Sequence, residues 1–389
     1  MYPYYCLNPI SEVGLKKFTS DYEETKEIEK AKAILVRSNT MLEMEFSEEL
    51  LCIGRAGAGV NNIPCSRCTE EGIVVFNTPG ANANGVKELV IAGMLLASRD
   101  IIGGINWIEE HEEDGNIASK AEKAKKAFAG RELYGKTLGV IGLGAIGVQV
   151  ANVATYLGMD VLGYDPYISI DSAWHLARNI KHAQTIDELL KESDYISIHV
   201  PALESTKDMI NKDAISLMKK DVVVLNFARN TLVNDEDMVD ALLAGKVKNY
   251  VTDFPTPSMV GVKGAIVIPH LGASTEESED NCAKMAVQQI MDYIENGNIK
   301  NSVNFPDCDM GKRRDNNRIL LLHYNKPNMI GQFSSILASA NMNIADMSNK
   351  SKKEFAYTMI DIDSVVPETV LSSLKAIEGV KKVRILTNL

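Results

Sequence analysis

Three glycines in the segment TLGVIGLGAIG have a spacing that suits the binding of a phosphate group. Gly142, Gly144 and Gly147 form a GxGxxG pattern that follows an apolar strand pattern and opens a helical one. The first permits a tight turn, the second lets the backbone approach a pyrophosphate, and the third lets helix and strand pack closely. Amide groups at the helix start, at Ala145 and Ile146, can receive the negative charge. The pattern predicts a dinucleotide site.

An acidic residue, Asp165, ends the next predicted strand, MDVLGYD, 18 residues beyond Gly147. A carboxylate there accepts hydrogen bonds from the adenosine ribose hydroxyls and repels a 2′-phosphate, so the expected cofactor is NAD rather than NADP. The competing interpretation is that the glycines only make a turn and Asp165 only caps the next segment. Strand, helix and acid in register favour the cofactor site.

Strand and helix patterns alternate around this site, which predicts an α/β fold with one doubly wound parallel sheet. The predicted strands lie near residues 137–141, 160–164, 194–200, 221–226, 248–252 and 265–269. Upstream, AILVRS at 33–38 and GIVVFN at 72–77 predict further strands, and a helix is expected at 86–98. A polar linker at 304–317 precedes a C-terminal module of βαββαβ order.

Composition and charge exclude several classes of protein. The 389 residues include 52 acidic and 41 basic side chains, a net charge of −11 that argues against non-specific binding to nucleic acid or an anionic membrane. The longest apolar run is too short to span a bilayer, and the N-terminus lacks signal-peptide features, so we expect a cytoplasmic protein. Cys65 and Cys68 form a CxxC without a second ligand pair, so six thiols and no metal are expected.

Further motifs carry a resemblance to a known family. The glycine fingerprint, FAR at 227–229 and PHLGAST at 269–275 together resemble the D-isomer-specific 2-hydroxyacid dehydrogenases. GRAGAGVNNI at 54–63 and NTPGAN at 77–82 extend the likeness toward the N-terminus.

The resemblance implies a domain organisation. A Rossmann-type nucleotide domain, residues 99–273, is inserted in a discontinuous flavodoxin-like substrate domain of residues 1–98 and 274–303, with the chemistry in the cleft between them. The linker at 304–317 then leads to a regulatory module similar to an ACT domain at 318–389.

The resemblance also implies roles for particular residues. In the family a nicotinamide exchanges hydride with C2 of a 2-hydroxy acid while a histidine exchanges the hydroxyl proton. His270 matches that acid/base, and Arg229 matches the arginine that holds the substrate carboxylate, although RGG is here Arg229-Asn230-Thr231. Further cofactor contacts are assigned to Thr78, Val200, Phe227, Ala228 and Asp253.

One family residue is missing. The usual pattern of Asp, a few residues and then a Glu that orients the histidine is shortened here to VTDFPTPSM, which keeps Asp253 but has no counterpart of the Glu. Either His270 works without a carboxylate partner, or Glu276 or Glu277 reaches it from the following helix. Loss of activity is a third interpretation.

The likeness within the family is strongest to members that oxidise 3-phospho-D-glycerate to 3-phosphooxypyruvate, the first step of L-serine synthesis. It assigns Arg37 and Ser38 to the phosphate and the loop of Arg55, Ala56 and Gly57 to the carboxylate. Two alternatives stay open. The chain could act on another D-2-hydroxy acid, or it could be an NAD-sensing binding protein on the same scaffold.

The C-terminal module resembles ACT domains that bind L-serine between two copies, so we expect a homodimer or homotetramer with a possible serine effector. His323, Asn325 and Asn343 match the positions that contact the amino acid. Asn328 stands where the family usually has glycine, and it brings a side chain into that space while tolerating left-handed geometry. A module that only dimerises is the alternative.

Overall fold

The structure is a computed structural model that describes residues 1–313 and 317–387. It contains two compact units. Residues Met1–Asn82 and Glu279–Leu389 form one, called here the discontinuous unit, and Ala83–Ser278 form the other, called the nucleotide unit. Residues 314–316 of the predicted linker and 388–389 of the predicted module lie outside the described residues.

A five-stranded parallel sheet opens the discontinuous unit. Its elements are β1 (Tyr2–Cys6), α1 (Glu12–Leu15), β2 (Tyr22–Glu24), β3 (Ala33–Val36), β4 (Cys52–Arg55), α2 (Cys65–Glu70) and β5 (Val74–Phe76). The strand order is β2-β1-β3-β4-β5 with every pairing parallel, which confirms the predicted flavodoxin-like arrangement. Strand β3 is buried along its whole length, as a strand covered on both faces must be, and this explains its unbroken apolar sequence.

The nucleotide unit holds a seven-stranded parallel sheet. Its elements are α3 (Ala83–Ser98), α4 (Ile101–Glu109), α5 (Ile117–Ala124), β6 (Thr137–Ile141), α6 (Ala145–Tyr156), β7 (Asp160–Tyr164), α7 (Ile170–Trp174), β8 (Lys181–His182), α8 (Ile186–Glu192), β9 (Tyr195–Ile198), α9 (Lys212–Leu217), β10 (Val222–Asn226), α10 (Asp235–Leu243), β11 (Val247–Thr252) and β12 (Ala265–Val267). The strand order, β12-β11-β10-β9-β6-β7-β8, confirms the predicted doubly wound sheet. Its direction of winding reverses between β6 and β9, where such sheets bind ligands.

Helix α3 belongs to the nucleotide unit, whereas the sequence analysis assigned residues up to 98 to the substrate domain. The reason is packing. Val86, Val90 and Met94 lie in one apolar cluster with Leu138 and Val140 of β6. The helix thus buries its apolar face against the nucleotide sheet.

The C-terminal module has the predicted βαββαβ order. After α11 (Glu276–Asn296) come β13 (Asn317–Tyr324), α12 (Met329–Ser339), β14 (Ile344–Lys352), β15 (Phe355–Ile362), α13 (Glu368–Lys375) and β16 (Val380–Leu386). The four strands form an antiparallel sheet in the order β14-β15-β13-β16.

This C-terminal sheet shares a core with the rest of the discontinuous unit. Leu320 and Met359 lie in one apolar cluster with Ile290 of α11. The Tyr357 hydroxyl donates to the carbonyl of Gly297 at 2.6 Å. The module is therefore built into the unit's core rather than joined to it only by a linker.

Candidate active site

The glycine loop after β6 has three glycines with three different surroundings. Gly142 has φ +91, and a Cβ there would lie 2.6 Å from the carbonyl oxygen of His199. A Cβ at Gly147 would lie 1.9 Å from the carbonyl oxygen of Gly142, so only glycine lets α6 start this close to the strand. A Cβ at Gly144 would meet no described atom within 4 Å. The loop is therefore crowded on the protein side and open at Gly144.

The start of α6 fits the pyrophosphate of a dinucleotide. Gly144 is the N-cap, and no side-chain hydrogen bond caps the helix among the described residues. Gly144 and Ala145 are exposed, and Ile146 is partly exposed. The amides of the first turn are left for an anion, which the helix dipole also favours.

Asp165 lies beyond β7, beside the glycine loop. One of its carboxylate oxygens accepts from the amide of Leu143 and the other from the amide of Tyr167, both at 2.8 Å. The carboxylate therefore also fixes the glycine loop to the end of β7. The two interpretations of Asp165, cap and ribose ligand, are compatible because each carboxylate oxygen can accept more than one hydrogen bond.

The remaining predicted cofactor contacts fall at different places. Val200 follows β9 and is partly exposed, and Phe227 and Ala228 follow β10, where the Phe227 ring is buried. A Cβ at Gly93 of α3 would lie 3.0 Å from that ring, so the ring serves packing. Thr78 is fully buried in the discontinuous unit.

His199, which the sequence analysis overlooked, lies next to the glycine loop. Its Nε2 is 2.8 Å from the Ser197 hydroxyl, while its Nδ1 is buried without a hydrogen-bond partner among the described residues. Burial lowers the pKa of His199 to about 4, so the ring is neutral at pH 7. The HVP triplet at the end of a predicted strand was the available signal.

Arg229 is exposed at the end of the turn that follows β10. Asn226, fully buried, fixes this turn. Its side-chain amide donates to the carbonyl of Arg229 at 2.8 Å and its oxygen accepts from the amide of Ala228 at 3.2 Å. The turn therefore holds the arginine backbone while the guanidinium remains exposed.

His270 is held by backbone bonds and ring packing. Its φ of +38 is uncommon for a residue with a side chain. Its amide donates to the carbonyl oxygens of Asp253 at 2.9 Å and Ile268 at 3.0 Å. The imidazole ring lies 4.8 Å from the ring of Phe254, centroid to centroid.

Asp253 is a buried carboxylate near Arg229 and His270. One oxygen accepts from the amide of Gly272 at 3.0 Å, and the other has no hydrogen-bond partner among the described residues. Burial raises the pKa of Asp253, while the Gly272 amide and the charges of His270 and Arg229 act in the opposite direction. Arg229, Asp253 and His270 thus form one group beyond the ends of β10, β11 and β12.

The loop that replaces the family's Glu is tied down elsewhere. The hydroxyls of Thr256 and Ser258 each donate to the carboxylate of Asp235, at 2.6 Å. Glu276 and Glu277 are exposed, and neither forms an ion pair with His270 in the described part of the chain. The idea that one of them substitutes for the missing Glu gains no support.

The predicted phosphate and carboxylate groups lie beyond β3 and β4 of the discontinuous unit. The Arg37 amide donates to the side chain of Asn8 at 2.9 Å, and its guanidinium lies 2.6 Å from a carboxylate oxygen of Glu279. Ser38 is exposed and Ala56 is buried. Within this group of residues, Ser38 and the end of the Arg37 side chain are therefore exposed.

Gly57 makes room for Arg55. Gly57 has φ +149, and a Cβ at this position would lie 1.7 Å from Nη1 of Arg55. The guanidinium thus lies directly over the glycine, where any larger residue would displace it. This is a physical reason for glycine at the position.

A buried thiol adjoins these arginines. Burial raises the pKa of Cys282, while the nearby Thr78 side chain and the charges of Arg55 and Arg37 act against that rise. Cys282 and Glu279 are one turn apart on α11. The sequence analysis missed both residues, because spacing within a helix does not reveal which face meets the arginines.

The three predicted effector residues are not brought together within one chain. His323 is 2 % exposed, and both ring nitrogens are engaged, with the Tyr324 carbonyl and the Thr358 hydroxyl, each at 2.8 Å. Burial lowers its pKa. Asn325 is exposed at the same end of β13, whereas Asn343 donates to Asp363 at the opposite end of the sheet.

Asn328 takes up the left-handed geometry that the sequence analysis allowed for, with φ +65. Its side chain lies over Gly331, where a Cβ would be 2.2 Å from the Asn328 amide oxygen. The side chain therefore fills space beside the first turn of α12.

Two features are absent from the part of the chain that the structure describes. No group of three or more histidine, cysteine or acidic side chains could hold a metal ion there. No helix in residues 1–313 and 317–387 is long and apolar enough to cross a bilayer. The six cysteines are all free thiols.

Comparison with known proteins defines the class. The profile of "D-isomer specific 2-hydroxyacid dehydrogenase, NAD binding domain" matches residues 91–272. Similarity to a curated relative extends over 97% of the chain. The chain therefore belongs to the D-isomer specific 2-hydroxyacid dehydrogenase family and is a dehydrogenase that uses NAD.

Particular relatives narrow the comparison. The chain is 32% identical to D-3-phosphoglycerate dehydrogenase of Haemophilus influenzae, over 97% of this chain and 92% of that protein. It is 33% identical to D-3-phosphoglycerate dehydrogenase 1 of Saccharomyces cerevisiae, over 90% and 77%. The NAD+-bound 3-phosphoglycerate dehydrogenase of Entamoeba histolytica superposes with a TM-score of 0.61 at 30% identity, over 78% of this chain and 98% of that one.

Proposed function

We propose that this protein catalyses the NAD-dependent oxidation of 3-phospho-D-glycerate to 3-phosphooxypyruvate, the first step of L-serine synthesis. The observation that carries the proposal is the grouping of Arg229, Asp253 and His270 beyond neighbouring strands of the nucleotide sheet. A 2-hydroxy acid needs a cation for its carboxylate and a base for its hydroxyl proton. The names of the relatives support the choice of substrate.

Each residue of the group has a proposed role. NAD, when bound, supplies the acceptor for the hydride from C2. His270 takes the hydroxyl proton, and Arg229 holds the carboxylate with its planar guanidinium. Packing on Phe254 and the backbone bond to Asp253 orient His270, so that it works without a carboxylate partner on its ring.

The discontinuous unit supplies the proposed recognition of the rest of the substrate. Arg37 and Ser38 bind the phosphate, and Arg55 with the backbone of Ala56 and Gly57 binds the carboxylate. The closeness of Arg55 to Gly57 supports this assignment because it puts the guanidinium directly beside the backbone of that loop. Asp165 provides the preference for NAD over NADP.

The decisive experiment follows NADH absorbance during the oxidation of 3-phospho-D-glycerate and the reduction of 3-phosphooxypyruvate. It compares the native protein with His270→Ala and Arg229→Ala. We expect His270→Ala to lower turnover about 10²- to 10⁴-fold with little change in NAD affinity, because only the proton exchange is lost. Arg229→Ala should raise KM and lower turnover together. Near-normal turnover in either variant would contradict the assignment.

Another D-2-hydroxyacid dehydrogenase activity is the second candidate, and one observation favours it. Glu279 already occupies Arg37, so the proposed phosphate site carries a negative charge of its own. A screen of 2-oxo acids with and without phosphate separates the two candidates. If NAD binds and no acid in the screen is reduced, the NAD-sensing interpretation gains support.

We also propose that L-serine binds between two ACT-like modules, with Asn325 of one copy facing Asn343 of the other. Their location at opposite ends of one sheet supports a site that needs two copies. His323 then acts by shaping the sheet, since its ring nitrogens are already engaged. Calorimetry with serine tests this, and Asn343→Ala should weaken the binding; no binding at millimolar serine would leave a dimerising module.

The protein is proposed to be cytoplasmic, where its six free thiols would stay reduced.

The proposed oligomer forms through helix α4. Ile101, Ile105 and Ile108 are 41%, 53% and 45% exposed at helical spacing. An exposed apolar stripe of this kind marks an interaction surface. Ile105→Glu should lower the mass measured by light scattering, whereas an unchanged mass would place the interface elsewhere.

A further inference from the structure

The predicted phosphate ligand Arg37 already has an anionic partner. Its Nη2 lies 2.6 Å from Oε1 of Glu279, and the two side chains are 40% and 42% exposed. An ion pair this exposed exchanges readily with other ions, because water screens much of its attraction. The Glu279 carboxylate therefore engages part of the Arg37 guanidinium in an ion pair that another anion can replace.

The backbones on both sides of the pair are fixed. Asn8 accepts from the amide of Arg37, and Asn62 donates to its carbonyl oxygen at 3.5 Å. Glu279 lies in the first turn of α11, a helix of 21 residues. A competing anion would therefore move side chains, not backbone.

We propose that Glu279 is a specificity-determining residue that competes with the substrate's phosphate for Arg37. This inference rests on the proposed function, since it takes Arg37 as the phosphate ligand. A phosphate that reaches Arg37 must displace the Glu279 carboxylate or share the guanidinium with it, and like charges this close repel. A substrate with an uncharged substituent at C3 meets no such repulsion. Glu279 therefore reduces the protein's preference for phosphorylated over unphosphorylated acids.

The test compares Glu279→Gln with a matched control. Asp280 is the next residue of α11 and pairs with the hydroxyl of Ser11, not with Arg37, so Asp280→Asn removes the same charge from the same turn. KM is measured for 3-phosphooxypyruvate and for the same acid without its phosphate. Glu279→Gln should lower the ratio of the KM for the phosphorylated acid to the KM for the unphosphorylated acid roughly fivefold. Asp280→Asn should leave this ratio near that of the native protein.

A second measurement separates this inference from the proposed function. Inorganic phosphate is tested as an inhibitor with whichever 2-oxo acid the protein reduces, and as a stabiliser in thermal unfolding if it reduces none. Glu279→Gln should strengthen either effect. An unchanged phosphate effect, or a raised KM for the phosphorylated acid, would overturn the inference. Absence of activity on 3-phosphooxypyruvate with a strengthened phosphate effect would overturn only the proposed function.

Discussion

At the scale of single residues, Arg229 and Arg55, the arginines of the two predicted sites, are held in place in different ways. Arg229 is positioned through Asn226, which binds the backbone of the turn from a buried position. Arg55 is positioned through the absence of a side chain at Gly57. In both cases an uncharged neighbour positions the arginine, through the backbone of Arg229 in one site and through the guanidinium of Arg55 in the other.

Gly57→Ala should displace Arg55, because the new Cβ would occupy the place of the guanidinium, 1.7 Å from Nη1. We expect KM for the phosphorylated acid to rise about tenfold, the size of a lost charge-assisted hydrogen bond. Steady-state kinetics measure this. Gly311→Ala is the control, because Gly311 also has positive φ, +72, but a Cβ there meets no described atom within 4 Å. An equal rise in both variants would mean that backbone strain, not Arg55, is responsible.

At the scale of elements, the glycine loop joins β6 and α6 under two separate requirements. Gly147 satisfies the packing of helix against strand, and Gly144 leaves space on the ligand side. Because the two requirements are met by different glycines, stability and NAD binding can be separated by substitution.

Gly144→Ala should fold normally and bind NAD roughly tenfold more weakly, since the methyl group occupies space meant for the pyrophosphate. Gly147→Ala should instead lower the free energy of unfolding by about 1–3 kcal/mol, because its Cβ would lie 1.9 Å from a backbone oxygen. Thermal unfolding and NAD titration measure the two effects. The explanation fails if Gly144→Ala is the less stable variant and retains native NAD affinity.

At the scale of the whole molecule, buried titratable groups set the response to acid. The folded-state pKa of His199 is about 4, against an ordinary 6.5, so the unfolded chain binds more protons between these values. Stability therefore falls as the pH drops from about 6.5 to 4. His323, whose pKa is also lowered by burial, acts in the same direction, while the raised pKa of Asp253 acts in the opposite one.

His199→Gln should flatten the loss of stability between pH 6.5 and pH 4, the interval between the two pKa values. The loss in the free energy of unfolding that this substitution removes is of the order of 3 kcal/mol or less. Melting temperature against pH measures it. His182→Gln is the control because His182 is exposed, and it should keep the native slope. An unchanged slope in His199→Gln would show that His199 is not the group responsible.

The sequence by itself determined six of the seven strands of the nucleotide sheet, whereas β8, β1, β2 and β4 were not predicted. Apolar runs between turn residues predicted β6, β7, β9, β10, β11 and β12, and the glycine spacing predicted the loop that begins α6, because these features depend on local sequence. It also placed Arg229 and His270 directly after strands, where parallel sheets bind ligands.

Only the tertiary structure decided which distant residues meet. The pairing of Arg37 with Glu279, 242 positions apart in the chain, and the contact of α3 with the nucleotide sheet arise from packing between segments that the sequence does not order in space. The same holds for the burial of His323, whose side chain could equally have faced a ligand. Local patterns fix the element, whereas burial and charge pairing depend on what the fold puts against it.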